Sequence, residues 1–397
     1  MPPPDPGVAP GRHPAIALAL LVLIALLLAG RALADGSTTG NNLAFSLLVG
    51  ALFGLVLQRS RFCFFCISRD FVERRDARGL LGLVVALAVG SLGYQVLFGA
   101  FLLDPSLGRL PPGAHIGPVS WVLAAGAFTF GIGMALSGSC LSAHLYRLGE
   151  GSLASPFALL GALGGFVLGF LSWNPLYLRV MQEAPVIWLP TRLGYGGALL
   201  LQLLLLTALA LALVRTHRPP AESPPPAWSL HDLLFGRRWP TYVGGILVGM
   251  IGVMAYFRVA PLGVTAELGS LARTGADSLG LLPGRLEGLD GFSGCMAVVK
   301  EHLLSDNGLF VLGLVAASLA SALLAGDWRP RRPTPGEVVR CLVGGLLMGW
   351  GAMVALGCTV GTLLSGVMAG ALSGWVFLLC CPAGILAGLW LRRRLPW

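Results

Sequence analysis

The sequence predicts an all-α integral membrane protein of about nine to ten transmembrane helices, with short re-entrant helices and an inverted-topology internal repeat. Three observations carry this expectation. Of the 397 residues, 55% are hydrophobic and 11% charged, with a mean hydropathy of +0.79; a soluble domain carries about a quarter charged residues. Apolar runs of roughly 17–25 residues recur, the length of a helix that crosses a bilayer, whereas a β-barrel would show short alternating strands. Finally, two glycine-rich segments, one in each half, lead into a cysteine with the same spacing. They are Gly131-Ile-Gly-Met-Ala-Leu-Ser-Gly-Ser-Cys140 and Gly349-Trp-Gly-Ala-Met-Val-Ala-Leu-Gly-Cys358, and Ser155 and Ser373 stand fifteen residues beyond.

The apolar runs fall at 14–34, 42–58, 79–103, 119–138, 154–173, 193–214, 241–257, 308–326, 341–357 and 371–391. The first follows Arg12 and closes on Ala32-Leu33-Ala34, which resembles a cleavage site; it reads as an uncleaved anchor, and either way residue 35 emerges outside. Arginines orient the rest, because short cytoplasmic loops carry the positive excess. Loop 59–78 holds Arg59, Arg61, Arg69, Arg74, Arg75 and Arg78, and loop 215–240 holds Arg215, Arg218, Arg237 and Arg238. Loop 327–340 holds Arg329, Arg331, Arg332 and Arg340, and the tail holds Arg392, Arg393 and Arg394. Loops 104–118 and 174–191 carry one arginine each, Arg109 and Arg179. The alternation closes with both termini in the cytoplasm. The net charge of +9 thus reports topology, and nucleic-acid binding is set aside.

In this orientation the helix before Cys140 runs inward and the helix before Cys358 runs outward, so the two halves are antiparallel in the membrane. The chain divides into an N-terminal anchor helix and loop (1–41), a first membrane repeat (42–214), a cytoplasmic linker (215–240) with a proline-rich stretch at 219–226, and a second repeat (241–397). A weaker likeness sets Gly50–Cys63 beside Gly245–Gly263, with Gly263 where the first half has Cys63. Four stretches, 61–72, 141–152, 261–273 and 359–370, are too polar or too short to span and read as re-entrant helices. Irregular backbone at membrane depth must be buried in protein or line a cavity, so these four pieces are expected to meet and form a narrow path.

The eight cysteines lie mostly in or beside apolar runs, which argues against a secreted disulfide framework. Cys341, Cys380 and Cys381 read as small apolar fillers. Cys63 and Cys66 form Cys-x-x-Cys, but no second Cys or His pair stands close enough for zinc. Dithiol chemistry at Cys63/Cys66, as in a membrane thiol–disulfide oxidoreductase, stays open as an alternative. Cys295, in Gly291-Phe-Ser-Gly-Cys295, is either a loop cysteine or a further contact. A buried neutral thiol suits an anion path: it does not repel the anion, it is a weak donor and acceptor, and its polarizable sulfur favours a sulfur-bearing solute. Helix N-termini and Arg61 or Arg258 offset negative charge. His144, Tyr146, Arg147 and Glu150 read as a solvated cytoplasmic face, and Asp70, Glu73 and Asp76 as surface ion pairs. No catalytic residue, cofactor or metal is assigned.

Gln58-Arg-Ser-Arg-Phe-Cys63, Ser137-Gly-Ser-Cys140 with the following Leu145-Tyr-Arg-Leu-Gly-Glu-Gly151, Pro261-Leu-Gly-Val-Thr265, and Leu356-Gly-Cys358 with its Ser373-Gly-Trp375 stretch resemble the YeeE/YedE family of sulfur transporters. The likeness spans roughly residues 42–391. It implies a bacterial inner-membrane thiosulfate importer with a duplicated, hourglass-like body embedded in lipid. It also implies three cysteines that hand the anion along through S–H···S contacts, which by motif are Cys63, Cys140 and Cys358, with Cys295 a possible fourth. Family members often work with a small TusA-like sulfur-carrier protein, and some YedE-type members are associated with selenium metabolism, so a selenium compound is an alternative solute. Ser139 departs from the glycine expected before the second cysteine, and segments 215–240 and 274–307 lengthen the chain.

Overall fold

The computed structural model describes residues 12–218, 238–292, 297–300 and 304–394. Its described residues form fourteen helices. The first seven are α1 (Arg12–Leu33), α2 (Thr38–Ser60), α3 (Phe64–Arg74), α4 (Arg78–Phe101), α5 (Trp121–Ser137), α6 (Leu141–Gly149) and α7 (Ser155–Leu176). The second seven are α8 (Pro190–Thr216), α9 (Thr241–Arg258), α10 (Val264–Ser278), α11 (Asp306–Ala325), α12 (Pro335–Val354), α13 (Thr359–Met368) and α14 (Leu372–Arg394). Ten helical stretches among the described residues are long and apolar enough to cross a membrane. Leucines 21, 27 and 28 of α1 and 200, 204 and 211 of α8 point outward, an apolar surface suited to lipid. The expected linker falls mostly outside the described residues.

The packing repeats when the first seven helices are exchanged for the second seven. Helix α1 packs on α11 as α8 packs on α4, and α2 packs on α11 as α9 packs on α4. Likewise α7 packs on α12 as α14 packs on α5, and α6 on α11 as α13 on α4. Helices α5 and α12 pack on each other, as do α2 and α9. Gly126 lies against Gly351 while Gly133 lies against Gly344, so α5 and α12 run antiparallel. Ser60 lies against Gly244 while Phe45 and Ser46 lie beside Ala255 and Val259, so α2 and α9 do too.

The repeated glycines hold this frame together. A Cβ at Gly131 would overlap the Cys381 carbonyl of α14, and one at Gly349 would overlap the Ala162 carbonyl of α7. Gly133 and Gly351, two residues on, face the crossing of α5 and α12. Helices in lipid have little hydrophobic drive to associate, so close backbone approach at small residues supplies the packing instead.

The four stretches expected to be re-entrant are the short helices α3, α6, α10 and α13. Several boundaries differ from the sequence reading by a few residues, and two of the differences have a clear local cause. Helix α12 starts at Pro335 rather than 341, because Thr334 and Glu337 form a capping box: Glu337 N–H donates to Thr334 Oγ1 at 3.2 Å and Thr334 N–H to Glu337 Oε2 at 3.0 Å. Helix α8 starts at Pro190 and contains a break at Gly194, whose φ of 66° only glycine adopts readily.

Candidate functional site

Each of the three motif cysteines occupies the residue just before a short buried helix. Cys63 precedes α3, Cys140 precedes α6 and Cys358 precedes α13. In each case the longer helix ends in left-handed backbone that redirects the chain: Arg61 (φ 49°), Gly138 (φ 83°), and Leu356 (φ 57°) with Gly357 (φ 147°). At Leu356 a branched side chain occupies this region, at a cost of about 1–2 kcal/mol. The break therefore leaves each thiol at the N-terminus of a helix, where unpaired N–H groups carry partial positive charge. The fourth junction, before α10, has Gly263 instead. There the Asn307 side chain occupies the space a Cβ would need.

Two clusters result. In the first, Cys63 Sγ lies 3.9 Å from Cys140 Sγ, and Cys140 Sγ lies 3.3 Å from Ser142 Oγ. Both sulfurs are buried. In the second, Cys358 Sγ accepts from Val360 N–H at 3.4 Å, and Thr265 Oγ1 donates to it at 3.6 Å. Thr265, two residues after Gly263, thus places a hydroxyl on Cys358 much as Cys63 places a thiol on Cys140. The structure brings Cys63 and Cys140 together and gives Cys358 a separate set of partners. Cys295 lies outside the described residues.

A cavity of about 1080 Å³, lined by Cys66, His144 and Arg147 but not by Cys63 or Cys140, opens towards the arginine-rich segments. All four of those segments converge on it, contributing Arg61, Arg238, Arg329 and Arg392 among others. Its described lining holds ten arginines against five acidic residues. A concave surface with this balance concentrates anions. Arg258, by contrast, is exposed and away from this cavity.

Of the expected solvated face, Arg147 and Glu150 are half-buried at the edge of the cavity, whereas His144 and Tyr146 are buried. His144 is 3% exposed and Tyr146 2%, because α6 packs between α7 and α11. His144 Nδ1 lies 3.4 Å from Ser155 Oγ, and Arg147 Nη2 donates to Cys66 Sγ at 3.2 Å. Asp70, Glu73 and Asp76 are partly exposed and paired with arginines, with Arg69 3.0 Å from Asp70 and Arg78 2.7 Å from Asp76. Hydrogen bonds from Arg78 hold the Asp76 carboxyl below its ordinary range.

The sequence reading gave no role to His115. It lies in the segment between α4 and α5 and tucks under the α12–α13 break, with Gly357 and Gly366 beside it. Burial pushes its imidazole down to about 4, so it is neutral at physiological pH. No local pattern around His115 signals this contact, which joins segments far apart in the chain.

Comparison with known proteins gives one family match. The family described as "Sulphur transport" matches residues 59–387. Two similar curated proteins are each described as "Thiosulfate transporter TsuA". The one from Escherichia coli is 28% identical over 375 residues, covering 87% of this chain and 93% of the relative. The one from Spirochaeta thermophila is 28% identical over 360 residues, covering 83% of this chain and 93% of the relative. A "Probable transporter YedE" from Salmonella typhimurium is 28% identical over 170 residues, covering 43% of this chain and 40% of the relative.

Proposed function

Because this chain belongs to the sulphur-transport family, we propose that it imports thiosulfate or a related sulfur-containing anion across the bacterial inner membrane, along a path set by Cys63, Cys140 and Cys358. The observation that carries the reading is the buried pair Cys63–Cys140, with sulfurs 3.9 Å apart where two broken helices meet. The TsuA names of relatives that align over most of this chain support thiosulfate as the solute. No chemical change in the solute is required: the anion exchanges one weak S–H contact for the next. Weak contacts in series permit release as well as capture, which conduction needs.

The arginine-lined cavity lies on the cytoplasmic side in this reading, with both termini there too. It offers an anionic surface of a TusA-like sulfur carrier a place to dock, and Cys295 remains a candidate for a further contact. The helix correspondence favours counting α8 with the second unit, so the two units would run from α1 to α7 and from α8 to α14 instead of meeting after residue 214.

Uptake of radiolabelled thiosulfate by cells producing the protein tests this reading. Unlabelled thiosulfate is expected to compete strongly and sulfate weakly. Equal competition by sulfate, or uptake no greater than in cells lacking the protein, contradicts it. Stronger competition by selenite would move the assignment to a selenium compound, and a redox-dependent change in titratable thiols without uptake would favour the oxidoreductase.

A further inference from the structure

The two units differ chemically at one place that faces the arginine-rich cavity. Cys66 stands three residues after Cys63 and Arg147 seven after Cys140, so each shares a helix face with its motif cysteine. Counting from Gly263 and Cys358, the corresponding residues of the second unit are Ala266 and Ser365, both buried. Cys66 and Arg147 line the cavity, whereas Cys63 and Cys140 do not. The pair therefore lies between the buried thiols and open space, on one side of the molecule only.

Arg147 is poised for an anion. Nη2 donates to Cys66 Sγ at 3.2 Å and Nη1 to the Gly138 carbonyl at 3.3 Å, the carbonyl at the end of α5. Among the described residues no acidic side chain forms an ion pair with it. A guanidinium facing a cavity with neutral hydrogen-bond partners, and with Glu150 acting on it only through space, retains its capacity to bind an oxyanion, and its planar fork fits two oxygens at once.

We propose that Cys66 and Arg147 form the release site for the anion at the cytoplasmic mouth. The guanidinium takes the oxygens of a two-ended sulfur anion and the Cys66 thiol takes its terminal sulfur, replacing the direct Arg147–Cys66 hydrogen bond. Sulfate, with no terminal sulfur, satisfies half of this site. The pseudo-symmetric frame has no intrinsic direction, and this pair supplies one. On the cavity side an anion leaving the thiols meets an arginine without a carboxylate ion-pair partner among the described residues, whereas Lys300 of the second unit is paired with Glu267. The inference rests on the transport reading above and adds a site to it.

The test uses the full-length protein in inside-out vesicles, with an anionic thiol-specific methanethiosulfonate reagent added from the cytoplasmic face and Cys66 labelling read by mass spectrometry. Labelling of a free thiol peptide in the same mixture corrects for reagent that thiosulfate itself consumes. Saturating thiosulfate is expected to slow labelling about tenfold, the scale of losing access to a charge-assisted site, and the same concentration of sulfate to slow it much less. Arg147→Gln is expected to abolish the protection and Arg147→Lys to keep part of it. The wild-type comparison stands even where a variant fails to fold. Unchanged labelling in thiosulfate, with wild-type uptake intact, overturns the release site and leaves the transport reading standing. No uptake of any sulfur anion by the wild-type protein overturns both.

Discussion

A buried thiol is a small, neutral and polarizable group, and its hydrogen bonds are weak. Those properties explain why three of them at helix N-termini suit passage of a sulfur anion better than its retention. Cys140 and Cys358 stood out in the sequence because spacing repeated around them, and Cys63 through its motif alone. Thr265, Arg147 and His115 were not, since each acquires its place from a contact across the fold: Thr265 with Cys358, Arg147 with Cys66, His115 with the α12–α13 break. In a linear reading the polar residues of α6 look like a solvated face, and only packing between α7 and α11 turns His144 and Tyr146 inward. His115 yields a prediction at this scale. Its folded value of about 4 lies below the ordinary 6.5, so between those pH values the unfolded chain holds the extra proton. Stability is then expected to fall as pH drops from 7 towards 4, by at most about 3 kcal/mol from this group. Thermal unfolding of the detergent-solubilised protein across that range should show the decline, and His115→Gln should flatten it.

Among the elements, the broken helices and the glycine-packed long helices have separate jobs. The breaks place the thiols, and the glycines fix where the breaks lie. Helix existence was legible from hydropathy, because a span in lipid must be apolar throughout. The start of α12 was less so: Arg340 and Glu337 interrupt the apolar run, yet Thr334-Pro-Gly-Glu337 carries the capping signature. The glycines before Cys140 and Cys358 were visible as a repeat, but their partners, the carbonyls of Cys381 and Ala162, lie on helices far away in the chain. Replacing Gly349 by alanine is expected to destabilise the protein by about 1–3 kcal/mol through overpacking. Gly164→Ala, with open space around its position in α7, is expected to be neutral or slightly stabilising. Melting of the two variants side by side checks this; equal melting temperatures would contradict the packing role of Gly349.

The whole molecule is a pseudo-symmetric frame made functional by its asymmetries. Helices α1–α7 and α8–α14 repeat each other's packing, yet a cysteine occupies three of the four junctions and Gly263 the fourth, with Asn307 in the space beside it. The arginine-rich cavity opens on one side of the molecule. The arginine counts of the loops grouped in the sequence the same four segments that line this cavity. The grouping of the thiols, Cys63 with Cys140 and Cys358 with Thr265, was not legible, since it depends on contacts across the fold. The most direct measurement of the central claim is radiolabelled thiosulfate uptake into proteoliposomes containing the wild-type protein or the single variants Cys63→Ala, Cys140→Ala and Cys358→Ala, with correct folding checked by melting. Each variant is expected to fold and to lose at least about tenfold in uptake rate. Full uptake by Cys140→Ala and Cys358→Ala would contradict a path set by these thiols.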